Sequence, residues 1–202
     1  MKSTGAPRRA LLVAMTPPGP QPIVDVGADH GHVAHAVGAI AVEREPHRAG
    51  RRDITWVISD GLDAFSEVGV AIIAGMGANT ISRILGRVPQ PAVVVLHAQD
   101  DPPKLRQWLK ANHWRIEAEG LAPEAKRYAE VIRAVPGDEP SEGWNLFFGP
   151  RLLRGTDPHL AAHLEQLHGY YRRLAEQTAT SGGERHRHFA GAAEFLRVQR
   201  HK

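Results

Sequence analysis

Residues 23–31 read Ile23-Val24-Asp25-Val26-Gly27-Ala28-Asp29-His30-Gly31. A short β-branched run carries an acidic residue toward its end and then enters a glycine-bearing turn into a helix. In an open α/β sheet such a turn lies beneath a bound nucleotide moiety, and glycine lets the backbone approach the ligand. Alone the spacing decides little, because Asp and Gly also populate ordinary turns.

Outward from this stretch, short apolar runs alternate with glycine-bearing turns and helical segments, the rhythm of a parallel α/β sheet. The pattern predicts strands at Ile23–Val26, Ala39–Val42, Ile54–Ile58, Val70–Ala74 and Ala92–His97. A helix over Pro103–Asn112 follows, with Leu105, Trp108 and Leu109 on one face. Two further runs, Trp114–Ala118 and Ala129–Ala134, are too close in sequence for a crossover helix and are expected to pair antiparallel. The stretch Pro136–Pro150, rich in Gly, Pro, Asp and Glu, reads as a connection leaving the domain. Beyond it, Thr156-Asp157-Pro158 offers a cap, and Leu160, Leu164, Leu167, Tyr171 and Leu174 repeat at four-three spacing. Ser181-Gly182-Gly183 breaks that helix. Phe189, Ala192, Leu196 and Gln199 continue the period, so an αα-hairpin is expected. The expected fold is a Rossmann-like, mostly parallel seven-stranded sheet with an antiparallel edge in residues 1–150, and a helical hairpin in residues 151–202.

Four consecutive strand ends then converge on the carboxyl edge, where open α/β sheets bind ligands. The first carries Asp25, Gly27, Ala28, Asp29 and His30; the second ends at Glu43, about where an acid accepts hydrogen bonds from ribose hydroxyls. The third ends at Ser59-Asp60-Gly61, where a carboxylate suits the exocyclic amine of adenine. The fourth ends at Ala74-Gly75-Met76-Gly77. A nicotinamide enzyme would use the same edge, but Asp29 in the first loop would repel a pyrophosphate. A sulfonium cofactor has no phosphate and carries positive charge, which points to S-adenosyl-L-methionine.

Composition narrows the rest. The chain of 202 residues has no cysteine, so neither a disulfide framework nor a thiolate metal site is available. No apolar stretch reaches membrane-spanning length, and a cytoplasmic protein without a membrane partner is expected. Residues 151–202 carry nine Lys/Arg against five Asp/Glu, whereas residues 1–150 carry sixteen against seventeen. The positive excess therefore sits in the tail, where Arg172, Arg173, Arg185, Arg187, Arg197, Arg200 and Lys202 could follow a phosphate backbone or form a solvated face. His30, His32 and His35 are spaced so that two could meet a metal, but a carboxylate partner is lacking and no metal is expected.

The segments Asp25–Gly31, Ser59-Asp60-Gly61-Leu62, Ile73-Ala74-Gly75-Met76-Gly77 and Leu105-Arg106-Gln107-Trp108-Leu109, in this order, resemble the bacterial tRNA adenine-N1 methyltransferases that modify position 22 of tRNA. The resemblance covers most of the chain, including the C-terminal helical pair. It implies a class I methyltransferase fold, S-adenosyl-L-methionine as cofactor, tRNA as substrate and Asp29 as the catalytic position. Adenine N1 is already a lone-pair nucleophile, so alignment matters more than a strong base. A carboxylate accepting from the N6 amine would favour the charge developing on the ring. The other reading of Asp29 is a cap on the following helix.

The chain departs from the family pattern in places. About nine residues separate His30 from Ala39, and Arg44–Arg52 is short for a crossover helix. His97-Ala98-Gln99 stands where the family tends to Gln-Pro-Asn, and Tyr128 is left alone where the family has paired aromatics. These departures keep two further readings open: a methyltransferase-fold RNA-binding or interaction protein without turnover, and an enzyme with another acceptor, such as a different base or a protein amine. Tyr170 and Tyr171 could stack on a base, although Tyr171 lies on the apolar seam. That four-three seam serves a monomer or a weak dimer equally well.

Overall fold

The computed structural model describes residues 5–45 and 52–200. Its centre is a seven-stranded sheet of β1 (Ile23–Val26), β2 (Ile40–Glu43), β3 (Trp56–Ile58), β4 (Val70–Met76), β5 (Val93–Ala98), β6 (Trp114–Pro123) and β7 (Tyr128–Pro136). The spatial order is β3-β2-β1-β4-β5-β7-β6. Strands β1 to β5 are mutually parallel, and β7 inserts antiparallel between β5 and β6. Central β1 is buried at every position and β4 from Val70 to Ile73, as continuous apolar runs covered on both faces should be. Alternation sends Val24, Ile73 and Leu96 to one face, under α3 (Ala78–Leu85) and α4 (Pro102–Ala111). Ile23, Ile72 and Val95 go to the other, under α1 (Ala6–Met15) and α2 (His32–Val37).

Strand order reverses at β1 and β4, so the loops after these strands open a crevice at the carboxyl edge. α2 is held to six residues between Gly31 and Gly38, both left-handed, which agrees with the short spacing of the sequence. The expected short segment Arg44–Arg52 lies largely outside the described residues.

Two local expectations need correction, and helix α1 stands where no element was predicted. The apolar run before Pro17 is helix α1, whose Leu12 and Met15 are buried against the sheet. The presumed connection contains α5 (Gly143–Phe148), because Trp144, Leu146, Phe147 and Phe148 give it an apolar face within a Gly/Pro-rich composition. The first hairpin helix, α6 (Leu160–Thr178), starts later than the Thr156-Asp157-Pro158 cap suggested. Asp157 instead accepts from its neighbour His159 N at 2.8 Å and from Leu121 N on β6 at 2.9 Å. The hairpin root is thereby fastened to the sheet.

α6 and α7 (Glu184–Gln199) run back along each other after a 3₁₀ turn at Ala179–Ser181 and a left-handed Gly182. Leu164, Ala192 and Leu196 form their small core, and Trp144, Phe147 and Phe148 of α5 fill its remaining side. The hairpin thus borrows its third wall from the preceding segment.

What joins hairpin and sheet is polar. Arg106 on α4 is 1 % exposed and donates from Nε to Glu119 Oε1 (2.6 Å), from Nη2 to Glu130 Oε2 (2.5 Å) and from Nη1 to Phe147 O (3.1 Å). The other Glu119 oxygen accepts from the backbone N–H groups of Arg151 (2.7 Å) and Leu152 (3.3 Å). His163 Nε2 on α6 lies 3.3 Å from Glu130 Oε1. Burial alone would raise the Glu130 carboxyl, but the Arg106 and His163 contacts outweigh it and hold it at about 2.

Arg106→Ala leaves two buried carboxylates uncompensated and is expected to cost about 3–5 kcal/mol in urea unfolding. Arg106→Lys should recover little, since a point charge cannot serve three fixed acceptors. The Glu130 contribution is present above pH 4.5 and lost as pH falls through about 2. Equal urea midpoints for all three proteins would overturn this account of the junction.

Candidate functional site

The β1 loop is built from backbone strain and one buried acid. Gly27 has φ +71°, and its N–H donates to Val42 O at 2.9 Å. Gly31 N donates to Ala28 O at 2.8 Å, closing the turn. Asp25 is 4 % exposed beneath it, and its Oδ2 accepts from Ala34 N (3.1 Å), in the first turn of α2. Burial pushes the Asp25 carboxyl up to about 7, opposed by that hydrogen bond and assisted by the Glu43 charge. Asp25 therefore satisfies an end donor of the helix from below. Asp29 does not cap it: the N-cap residue is Gly31, without a side-chain bond.

Asp29 has a left-handed φ of 52°, uncommon for a residue with a side chain. Its N–H donates to Glu43 Oε1 at 2.7 Å, so the acid at the end of β2 fixes the backbone of the β1 loop. The Asp29 carboxylate is 64 % exposed, with His30 Nε2 at 3.8 Å.

A cavity of about 280 Å³ opens beside this loop. Of the residues expected to bind a cofactor, Gly27, Glu43, Asp60, Gly61 and Met76 line it, joined by Ser59, Thr80 and Arg83. A Cβ on Gly27 would stand 2.5 Å from Met76 Cε, so only glycine leaves this wall open without displacing Met76. Asp25, Ala28, Asp29, His30, Ala74 and Gly75 do not line the cavity. Asp60 Oδ2 accepts from Arg87 (3.1 Å) and Arg83 (3.3 Å), which hold its carboxyl below the usual range. Arginines on α3 and just beyond it were absent from the sequence reading, and helical spacing gave no sign that they would reach the loop after β3.

The β4 and β5 tips are latched together. Gly75 (φ +74°) donates its N–H to His97 Nδ1 at 3.2 Å, Gln99 N donates to Met76 O at 3.0 Å, and Ala78 N donates to Asp100 Oδ1 at 2.8 Å. His97 is 2 % exposed; burial, with the Arg8 and Arg127 charges, lowers its imidazole to about 4, which keeps Nδ1 free to accept. Met76 faces the small cavity, while His97 and Gln99 line a second cleft of about 1080 Å³ between the sheet and the hairpin. The latch is the partition between the two.

Of the histidine string, the His30 and His32 rings meet edge-to-face at 6.0 Å, while His35 turns to Asp53 at 3.1 Å. Among the described residues no three His, Asp or Glu side chains meet as a metal site, and no helix is long and apolar enough to cross a membrane.

The family model for tRNA (adenine(22)-N(1))-methyltransferase matches residues 23–194. Among solved structures, Streptococcus pneumoniae Sp1610 is 22% identical with a TM-score of 0.83, covering 96% of this chain and 98% of its own. The Bacillus subtilis M1A22 tRNA methyltransferase TrmK is 21% identical with a TM-score of 0.79, covering 98% and 100%. Mycoplasma capricolum TrmK in complex with S-adenosyl-homocysteine is 17% identical with a TM-score of 0.79, covering 96% and 98%. At these identities the likeness is one of fold.

Because its carboxyl is raised from 3.8 to about 7, Asp25 makes the fold less stable as pH climbs through that interval, by roughly 4 kcal/mol at most. Asp25→Asn keeps an oxygen acceptor for Ala34 N and cannot ionise. Its melting temperature relative to wild type should therefore rise steadily between pH 4 and pH 7; parallel curves would refute the assignment.

Proposed function

The chain belongs to the tRNA (adenine(22)-N(1))-methyltransferase family, and on that premise we propose how its residues divide the work of methylating adenine N1 in tRNA. The donor is S-adenosyl-L-methionine. The observation that carries the assignment is the convergence of Gly27, Glu43, Asp60, Gly61 and Met76 on one cavity.

That cavity fits the donor. Its wall at Gly27 admits a close ligand, Glu43 offers a fixed carboxylate suited to ribose hydroxyls, and the exposed Asp29 carboxylate on the adjoining loop favours a cation over a phosphate. Asp60, steadied by Arg83 and Arg87, is assigned to the adenine end, with the Gly61 backbone beside it. Ala28, His30, Ala74 and Gly75 act by shaping the two loops. The bound donor supplies an electrophilic methyl group on a sulfonium.

Asp29 is assigned to the acceptor. As the new N–C bond forms from the adenine N1 lone pair and the donor's C–S bond breaks, positive charge passes to the ring. A carboxylate accepting from the N6 amine stabilises that charge and orients the base. Asp29 suits the task because its backbone is fixed through Glu43 while its carboxylate stays open to solvent. The paired edge of a duplex adenine must first be exposed, so the nucleotide is taken out of its stack.

Residues 1–150 carry this chemistry and residues 151–202 grip the RNA. Arg173 and Arg185 face the cleft, whereas Arg172, Arg197 and Arg200 are paired to Glu176, Glu194 and Glu165. Because α5 of the same chain covers part of the hairpin seam, a monomer or weak dimer is the assembly we favour, acting in the cytoplasm where tRNA is found.

The test is transfer from labelled S-adenosyl-L-methionine to bulk tRNA lacking the modification, with nucleoside analysis. Wild type should yield 1-methyladenosine, and Asp29→Ala should lower kcat/KM by about 100-fold or more with donor affinity nearly unchanged. Donor binding with no methylated nucleoside would instead favour an RNA-binding protein without turnover.

A further inference from the structure

The large cleft holds a tyrosine to which the assignments above give no role. Tyr170 is 49 % exposed, unusual for a tyrosine inside a concave surface. It sits one position off the apolar seam of α6, so its ring faces the cleft. Its neighbour Tyr171 meets it edge-to-face at 5.1 Å and is itself packed against Phe147, Phe148 and Phe189. An aromatic ring is thus presented to solvent and backed by a rigid cluster.

The rim around it is basic. Lys104, Lys126, Arg127, Arg173 and Arg185 are all exposed and all line the cleft. Among the described residues, Lys104, Lys126, Arg173 and Arg185 have no carboxylate within 4.0 Å. The acids nearby are already engaged: Asp100 and Asp101 accept backbone N–H groups, and Glu130 is paired to Arg106 and His163. Gln166 Nε2 donates to Lys126 O at 2.6 Å, tying the β6–β7 tip to α6 and fixing the width. At about 1080 Å³ the space is slightly larger than the roughly 300–1,000 Å³ typical of ligand sites.

We propose that this cleft is a second nucleotide subsite, separate from the donor cavity, in which an unstacked tRNA base lies on Tyr170 while its flanking phosphates meet Lys126, Arg173 and Arg185. An aromatic face tolerates any base, and cations with no carboxylate partner around it, Arg185 lying 5.6 Å over the Phe189 ring among them, track a backbone, the combination used by single-strand binders. The subsite rests on the tRNA reading above and adds the place where the chain holds a nucleotide other than the one it methylates.

The experiment is equilibrium binding of unmodified tRNA and of S-adenosyl-L-methionine, together with methylation kinetics, for wild type, Tyr170→Phe, Tyr170→Leu and Arg173→Ala. Tyr170→Phe keeps the stacking face and should bind tRNA within about two-fold of wild type. Tyr170→Leu keeps bulk without a π-face and should lose about ten-fold or more. Arg173→Ala should weaken binding and flatten its salt dependence by about one phosphate contact. Donor affinity should be unchanged in all three variants, since neither Tyr170 nor Arg173 lines the donor cavity. Wild-type affinity in Tyr170→Leu, or equal losses in the Phe and Leu variants, overturns the stacking subsite while leaving the methyltransferase reading intact. A wild-type protein that binds the donor but not tRNA overturns both.

Discussion

The buried Arg106 guanidinium is the point on which the rest of the molecule is assembled. Removing it and two carboxylates from water costs several kcal/mol per ion, which only well-placed partners offset. Here the partners come from β6, β7, α5 and, through Glu130, from His163 on α6. An apolar replacement could fill the same volume, but it would not dictate which strand, helix end and hairpin face must meet. The ion network specifies register, and register sets the width of the cleft between sheet and hairpin.

Because that junction is rigid, the carboxyl edge can be divided into two compartments. The smaller lies under the β1, β2 and β3 loops, and the larger lies between β5, the β6–β7 tip and the hairpin. Three hydrogen bonds between the β4 and β5 tips form the wall between them, one accepted by His97. A residue that departs from the family's usual segment is thus used as an acceptor toward Gly75, and the wall is intact with histidine in that place.

The strands were legible because parallel, doubly covered strands must be continuous apolar runs, and the turns at their carboxyl ends were legible because glycines, found with positive φ at 27, 61 and 75, recur there. Helix α1 was not, since Arg8, Arg9 and the following prolines mask a face that only the sheet reveals. α5 was hidden by composition, although Trp144, Phe147 and Phe148 are an apolar face at helical spacing. Nothing in its own helix marks Arg106 as buried, because Glu119 and Glu130, distant in sequence, decide its burial. The same holds for Asp60, whose arginine partners belong to another segment. Local patterns found the loops; the charges that position them are long-range.

The bond from Asp29 N–H to Glu43 Oε1 has a mutational consequence. Two positions fourteen residues apart, assigned to opposite reaction partners, share one geometric element. A substitution at 43 removes the acceptor that holds the backbone at 29, so the effects of changes at the two positions combine non-additively. With the roles proposed for them, a change made at 43 to suit the donor carries a change at 29 to the acceptor side.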